Sequence, residues 1–208
     1  MHGSSFFLCL ELASLAVAGP VQIADRQTQK LRIMPLGDSI TEITCWRTLM
    51  WDQIAEAGYA DKTANWGEHH EGHSGWLAID IANNYLTTWL KNTPADIVMF
   101  MLGTNDVVRG HTADDIIAAY TKMVNIMRAA NPKMKIIVAP SRRSTRASAR
   151  IRACLNSTDS PIVIADCNTG VPTWDLRDGV HPNAAGDKIL ASRIGPLLLD
   201  YIKGSLAA

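Results

Sequence analysis

Four short segments, Gly37-Asp38-Ser39-Ile40, Gly72-His73-Ser74-Gly75, Gly103-Thr104-Asn105-Asp106 and Asp178-Gly179-Val180-His181-Pro182, carry a hydroxyl, amide donors, a carboxylate and an imidazole. Together these groups suffice for acyl transfer. A serine hydroxyl is a weak nucleophile at neutral pH and needs a base within hydrogen-bond reach, for which His181 is the candidate. Asp178, three residues earlier on a glycine-containing turn, can accept the other ring N–H and hold one tautomer. Negative charge developing on the attacked carbonyl oxygen needs donors fixed in advance. The backbone N–H groups of Ser39 and Gly75 and the side-chain amide of Asn105 can supply three. Glycine at 75 lets the backbone come close to a ligand. Taken singly these pieces are weak signals; their order along one chain is what carries weight.

The elements that must bring them together follow from the apolar pattern. The run Leu31, Ile33, Met34, Leu36 stops at Gly37-Asp38, which predicts a buried strand handing Ser39 to a sharp turn into a helix. Read alone, Ser39 could equally be a helix cap. Trp46, Leu49, Met50, Ile54 and Ala57 recur at helical spacing, predicting a helix over 45–57 that ends at Gly58. The polar stretch that follows contains no strand-like run and reads as a loop. Ala78, Ile81, Ala82, Tyr85 and Trp89 form the next helical stripe, closed by Pro94. Ile97 to Leu102 is a continuous apolar run, the pattern of a central parallel strand, and it delivers Asn105 just past its end.

A helix from about Thr112 to Asn131 carries Ile116, Tyr120, Met123 and Met127, with acidic residues in its first turn. Strands are predicted at Lys135–Ala139 and Pro161–Ala165. Between them lie five arginines in positions 142–152, either a solvated helix face or a site for acidic sugars or phosphate. Asn183 caps a last helix with Ile189, Leu190, Ile194, Leu197 and Leu198 inward, interrupted at Gly195-Pro196. Strand and helix alternate throughout, which implies a parallel sheet with helices on both faces and ligands bound beyond the carboxyl ends of the strands.

At 208 residues the chain fits one domain, and Lys plus Arg equals Asp plus Glu at 20 each. No global field draws it to nucleic acid or an anionic membrane. The expected partner is a neutral substrate, and the expected state a monomer. Residues 1–18 end an apolar segment with Ala16-Val17-Ala18 and read as a secretory leader, followed by a linker over 19–30 and the functional domain over 31–204. Its removal leaves Cys45, Cys154 and Cys167, an odd number, with Cys154 and Cys167 near enough in sequence to pair.

GDSI, GHSG, GTND and DGVHP in this order resemble the four blocks of the SGNH, or GDSL-like, hydrolases. The longer strings PLGDSITEITCWR, HHEGHSGW, PADIVMFMLGTND and DGVHPNAAGD are similar to carbohydrate esterase family three, the secreted microbial acetylxylan esterases. The resemblance covers about Leu31 to Leu190. It implies a flavodoxin-like three-layer α/β/α fold with a parallel sheet of four or five strands. It also implies deacetylation of plant cell-wall polysaccharide, no cofactor, and roles for Ser39, Asp178, His181, Gly75 and Asn105 matching those argued from their chemistry. In that family a second strand and a loop with a cysteine usually precede the HEGHSG segment. Here only Gly58 to Glu68 is available, which leaves open whether the sheet is one strand short and whether Cys45 has a partner.

Three other readings compete. Glu68, His69, His70, Glu71 and His73 could hold zinc, although no HExxH helix supports a metal site and none is expected. A carbohydrate-binding module on the same fold would have no need of Ser39 and His181 together. A lipase or thioesterase on other acyl esters would want a long apolar channel, which no loop here is apolar enough to suggest. Substrate contacts are assigned to His73, Trp76 and Trp174, rings able to stack on sugars. The reading that follows is a secreted serine esterase acting on acetylated polysaccharide or oligosaccharide.

Overall fold

The computed structural model describes residues 30–64, 69–140 and 145–207, the side chains of 145–149 excepted. Residues 1–18, read from sequence as a leader, and 19–29 of the segment read as a linker lie outside the described residues. Four apolar strands form where the sequence pattern puts them: β1 (Ile33–Gly37), β3 (Ile97–Met101), β4 (Lys135–Val138) and β5 (Ile162–Ile164). All pairings are parallel, in the order β2-β1-β3-β4-β5, with β2 (Glu71–Gly72) at one edge.

Alternation along the strands splits the core in two. Met34, Leu36, Val98, Phe100, Ile136 and Val138 face one side of the sheet, whereas Ile33, Ile97, Met99, Met101 and Ile137 face the other. The first side is covered by α3 (Ala78–Asp80) with the π segment Ile81–Tyr85 and α4 (Leu86–Asn92), and by α6 (Ala113–Ala130) and α7 (Thr145–Leu155). The second is covered by α1 (Ser39–Glu42), α2 (Trp46–Glu56) and α8 (Ala184–Leu206). This is the three-layer α/β/α arrangement. The remaining short helix, α5 (Thr104–Val108), follows β3 directly. Among the described residues no helix is long and apolar enough to cross a membrane.

Two expectations need correction, the second and third below, and two questions that the sequence leaves open are decided. The sheet is not a strand short: Glu71-Gly72 pairs with Leu36-Gly37, and a single parallel bridge joins Leu31 to Thr63. A two-residue edge strand made of Glu and Gly is held by backbone alone, so apolar periodicity cannot reveal it. Second, the stripe over Ala78–Leu90 shifts phase at the π segment, whose extra residue per turn buries Leu86 and Leu90 and leaves Tyr85 39% exposed. Third, α8 runs unbroken through Pro196, which is exposed, as is Ser192, whose carbonyl loses its helical partner to the proline. Fourth, Cys154 and Cys167 do not pair. Cys154 lies exposed on α7, on one side of the sheet, and Cys167 is buried in the core of the other. Cys45 is also free.

Helix ends follow the capping residues. Thr112 and Asp115 make a reciprocal capping box on α6, and the Asn183 side chain accepts the N–H groups of Ala185 and Gly186 at the start of α8. Of the arginine run, Arg142, Arg143 and the Arg146 side chain lie outside the described residues; Arg150 meets Asp114 at 3.1 Å on an exposed surface.

Candidate active site

The nucleophile candidate stands at a tight strand-to-helix turn. Gly37 ends β1, and a Cβ there would lie 2.1 Å from Thr41 Oγ1 and 2.8 Å from the Met101 carbonyl, so the turn requires glycine. Asp38 caps the helix by accepting the Ile40 N–H at 3.0 Å. Ser39 is then the first helical residue. The Asp38 carboxyl is buried, and desolvation, only partly offset by the Ile40 N–H, pushes its pKa up to about 6.

The base reaches Ser39 from the far end of the chain. The loop before α8 closes on itself: the Arg177 N–H donates to the His181 carbonyl, the Asn183 N–H to the Asp175 carbonyl, and the Asn183 amide to the Trp174 carbonyl at 2.8 Å. An antiparallel bridge joins Leu176 to Pro182. Gly179, at φ +83°, makes the bend. Within this loop Asp178 accepts the backbone N–H groups of His181 (2.8 Å) and Val180 (3.0 Å) and meets His181 Nδ1 at 2.7 Å. The His181 N–H above all, then the His181 ring and the Val180 N–H, hold the Asp178 carboxyl far below the usual carboxylate range.

An ionised carboxylate can only accept, so Nδ1 of His181 carries the proton and Nε2 of the neutral ring is an acceptor. Nε2 lies 2.7 Å from Ser39 Oγ. Hydroxyl, imidazole and carboxylate thus form one hydrogen-bonded line across 142 residues of sequence.

The three candidate oxyanion donors follow β1, β2 and β3, which are adjacent in the sheet. Gly75 is the third residue of a turn closed by the Trp76 N–H on the His73 carbonyl, with φ +80° and open space where a side chain would stand. Among the described residues no hydrogen bond uses the backbone N–H of Ser39 or Gly75. The Asn105 amide donates to the Trp76 carbonyl at 3.0 Å, which orients it and leaves its second N–H for a ligand. Behind it the fully buried Asp106 carboxylate accepts the N–H groups of Ala78 (2.9 Å) and Ile79 (3.2 Å).

The rings assigned to substrate fare differently. His73 and Trp76 stack on each other at 4.5 Å and belong to a four-ring cluster with Tyr85 and Trp89, so part of their faces is already covered. Trp174 is 78% exposed on the His181 loop. As for the zinc alternative, His70 Nδ1 accepts the Gly72 N–H, while His73 Nε2 meets Glu71 at 3.1 Å. Among the described residues no three ligand-type side chains gather.

Two features escaped the sequence reading. Glu42, at the end of α1, binds Ser74 next to Gly75. An apolar cavity of about 250 Å³ lies beneath the His181 loop, lined by Ile40, Met101, Thr104, Val171, Val180 and Leu190 among others. Ile40, Thr104 and Val180 each adjoin a site residue in sequence, the only hint the chain offered.

A match to the GDSL-like lipase/acylhydrolase family spans residues 36–189. The crystal structure of an acetyl esterase mutant with an acetate ion is 44% identical, covers 85% of this chain and 100% of its own, and superposes with a TM-score of 0.79. A carbohydrate esterase family 3 structure from Talaromyces cellulolyticus is also 44% identical, over 84% of this chain and 99% of its own, with a TM-score of 0.76. A multidomain esterase of Ruminococcus flavefaciens is 25% identical over 256 aligned positions, covering 99% of this chain. The chain spans about a third of the length of that relative, 32%.

Proposed function

This chain belongs to the GDSL-like lipase/acylhydrolase family, and from that premise we propose that it is a secreted serine esterase that removes acetyl groups from xylan-like carbohydrate. The observation that carries the reading is the unbroken line from Ser39 Oγ through His181 to Asp178, with 2.7 Å at each step. Ser39 Oγ attacks the acetyl carbonyl carbon while its proton passes to His181 Nε2. Asp178 steadies the imidazolium that results, its carboxylate fixed by two backbone N–H groups. The Ser39 and Gly75 N–H groups and the free N–H of Asn105 hold the oxygen as it gains charge. Collapse expels the sugar alcohol, which takes the proton from Nε2 and leaves acetyl on Ser39. Water then attacks by the same route and releases acetate.

The acetyl group and the carbohydrate are supported by the two structures at 44% identity, one an acetyl esterase and one of carbohydrate esterase family 3. Secretion rests on the leader-like segment ending at Ala18. Trp174 offers an exposed ring for a sugar face, whereas part of the His73 and Trp76 faces is taken up by stacking within the ring cluster. Replacing Ser39 by Ala is expected to abolish turnover of p-nitrophenyl acetate and acetate release from acetylated xylan while the melting temperature holds.

A second reading, hydrolysis of other short acyl esters, is favoured by the apolar cavity beside Ile40 and Val180. Comparing p-nitrophenyl acetate, butyrate and octanoate separates them: a steep fall beyond acetate supports deacetylation, and a rise supports the alternative.

A further inference from the structure

Gly75 is the least anchored of the three oxyanion donors. It has no side chain, nothing would contact a Cβ built on it, and glycine moves freely in φ. The aim of its N–H is therefore set by the residues on either side. On the far side the Trp76 carbonyl is held by the Asn105 amide. On the near side the Ser74 N–H donates to Glu42 Oε2 at 2.6 Å, and the Ser74 hydroxyl donates to the same oxygen.

Glu42 is the last residue of the one-turn helix that begins with Ser39. The two elements are fitted closely: a Cβ on Gly72 would lie 2.7 Å from the Glu42 backbone nitrogen, and the His73 N–H donates to the Gly37 carbonyl at 3.0 Å. One carboxylate thus ties the turn bearing Gly75 to the helix bearing Ser39. We propose that Glu42 is a positioning residue that sets the Gly75 N–H in register with the Ser39 N–H, so that both point at one substrate oxygen.

The inference rests on the oxyanion roles given to Ser39 and Gly75 above. A charge beside the developing oxyanion has the wrong sign to stabilise it, so the contribution of Glu42 is geometric, and a neutral acceptor of the same length can replace it. The pair is solvent-exposed, and exposed polar pairs add little to stability. Activity and folding should therefore separate.

The test compares full-length wild type with E42A, E42Q, S74A and S39A on p-nitrophenyl acetate. Loss of one oxyanion donor costs roughly 10²–10³ in kcat, so a misdirected one should cost about 10–100-fold. E42A is expected to lose that much in kcat with KM within about twofold and a melting temperature within about 3 °C. E42Q should recover to within about threefold of wild type, because its amide oxygen still accepts from Ser74. S74A keeps the backbone bond and should fall between them. If E42A does not fold, E42D serves, since its carboxylate falls one methylene short: a kcat loss with KM kept supports the proposal. Wild-type kcat in E42A or E42D, or a loss in E42Q equal to that in E42A, overturns it. S39A separates the two levels: undiminished turnover there overturns the serine mechanism, whereas an inactive S39A with a fully active E42A overturns only the role of Glu42.

Discussion

The His181 loop and the Gly75 turn serve the same site but are held in different ways. The loop is secured by its own residues: Arg177 to His181 and Asn183 to Asp175 through the backbone, and the Val180 and His181 N–H groups to the Asp178 carboxylate, all within nine residues. The turn is secured by other elements, through Glu42 from 32 residues upstream, Asn105 from 29 residues downstream, and Asp106 at 27 and 28 residues. A local device can be read from a short string of residue types. A borrowed one cannot, because its partners are chosen by the fold.

Substitutions can break this contrast or sharpen it. The largest effect is expected from Asp178→Asn, which keeps an acceptor for the loop but loses the charge that selects the His181 tautomer. A fall in kcat of about 10⁴ is expected, with thermal stability kept, measured by steady-state kinetics and a melting curve. A small fall would mean that the loop holds His181 without its carboxylate. Asn105→Ala should cost roughly 10²–10³ in kcat, and because the Trp76 carbonyl then loses its donor, the turn itself should loosen. Hydrogen exchange at the Ser74 and Trp76 amides, both hydrogen-bonded in the turn, would show this; unchanged protection would mean that the turn stands alone after all.

The two aspartates beside the site make a further contrast, since Asp178 is exposed and rich in N–H donors while Asp38 is buried with one. The Asp38 pKa is raised in the fold from 3.8 to about 6, so between those values the native state binds more protons than the unfolded chain. Stability attributable to Asp38 is therefore full below about pH 4 and is lost as the pH rises to about 6, by about 3 kcal/mol at neutrality. Asp38→Asn keeps the cap and removes the titration. Denaturant melts should show the variant gaining on wild type between pH 4 and 6, and parallel curves would refute the shift. The smallest effect is expected from Trp174→Ala: a several-fold rise in KM for acetylated xylan, larger than for p-nitrophenyl acetate, since only the polymer can lie across that ring. Equal changes on both substrates would remove Trp174 from sugar binding.

The same local-versus-borrowed distinction explains what was legible. The apolar runs of β1 and β3, the start of α6 near Thr112, the Asn183 cap, and the three-residue spacing of Asp178 and His181 are visible because each is specified within a few residues. Strand β2 was invisible because edge pairing of Glu71-Gly72 rests on backbone, not hydrophobicity. The π segment was missed because nothing in Ile81–Tyr85 announces an extra residue, yet it is what turns Tyr85 and Trp89 toward His73 and Trp76. The cavity under the His181 loop draws its lining from β3, α1, the segment after β5 and α8, and no one of these stretches looks like a channel. The cysteines lie on opposite sides of a sheet that proximity in sequence does not reveal.

The central claim is that the acyl group passes through Ser39. Rapid quenching of the enzyme during turnover of p-nitrophenyl acetate, followed by mass spectrometry of its peptides, tests it directly. One acetyl group on the peptide bearing Ser39, absent from the Ser39→Ala protein, is the predicted result; full turnover by Ser39→Ala, or acetylation confined to another residue, would contradict it.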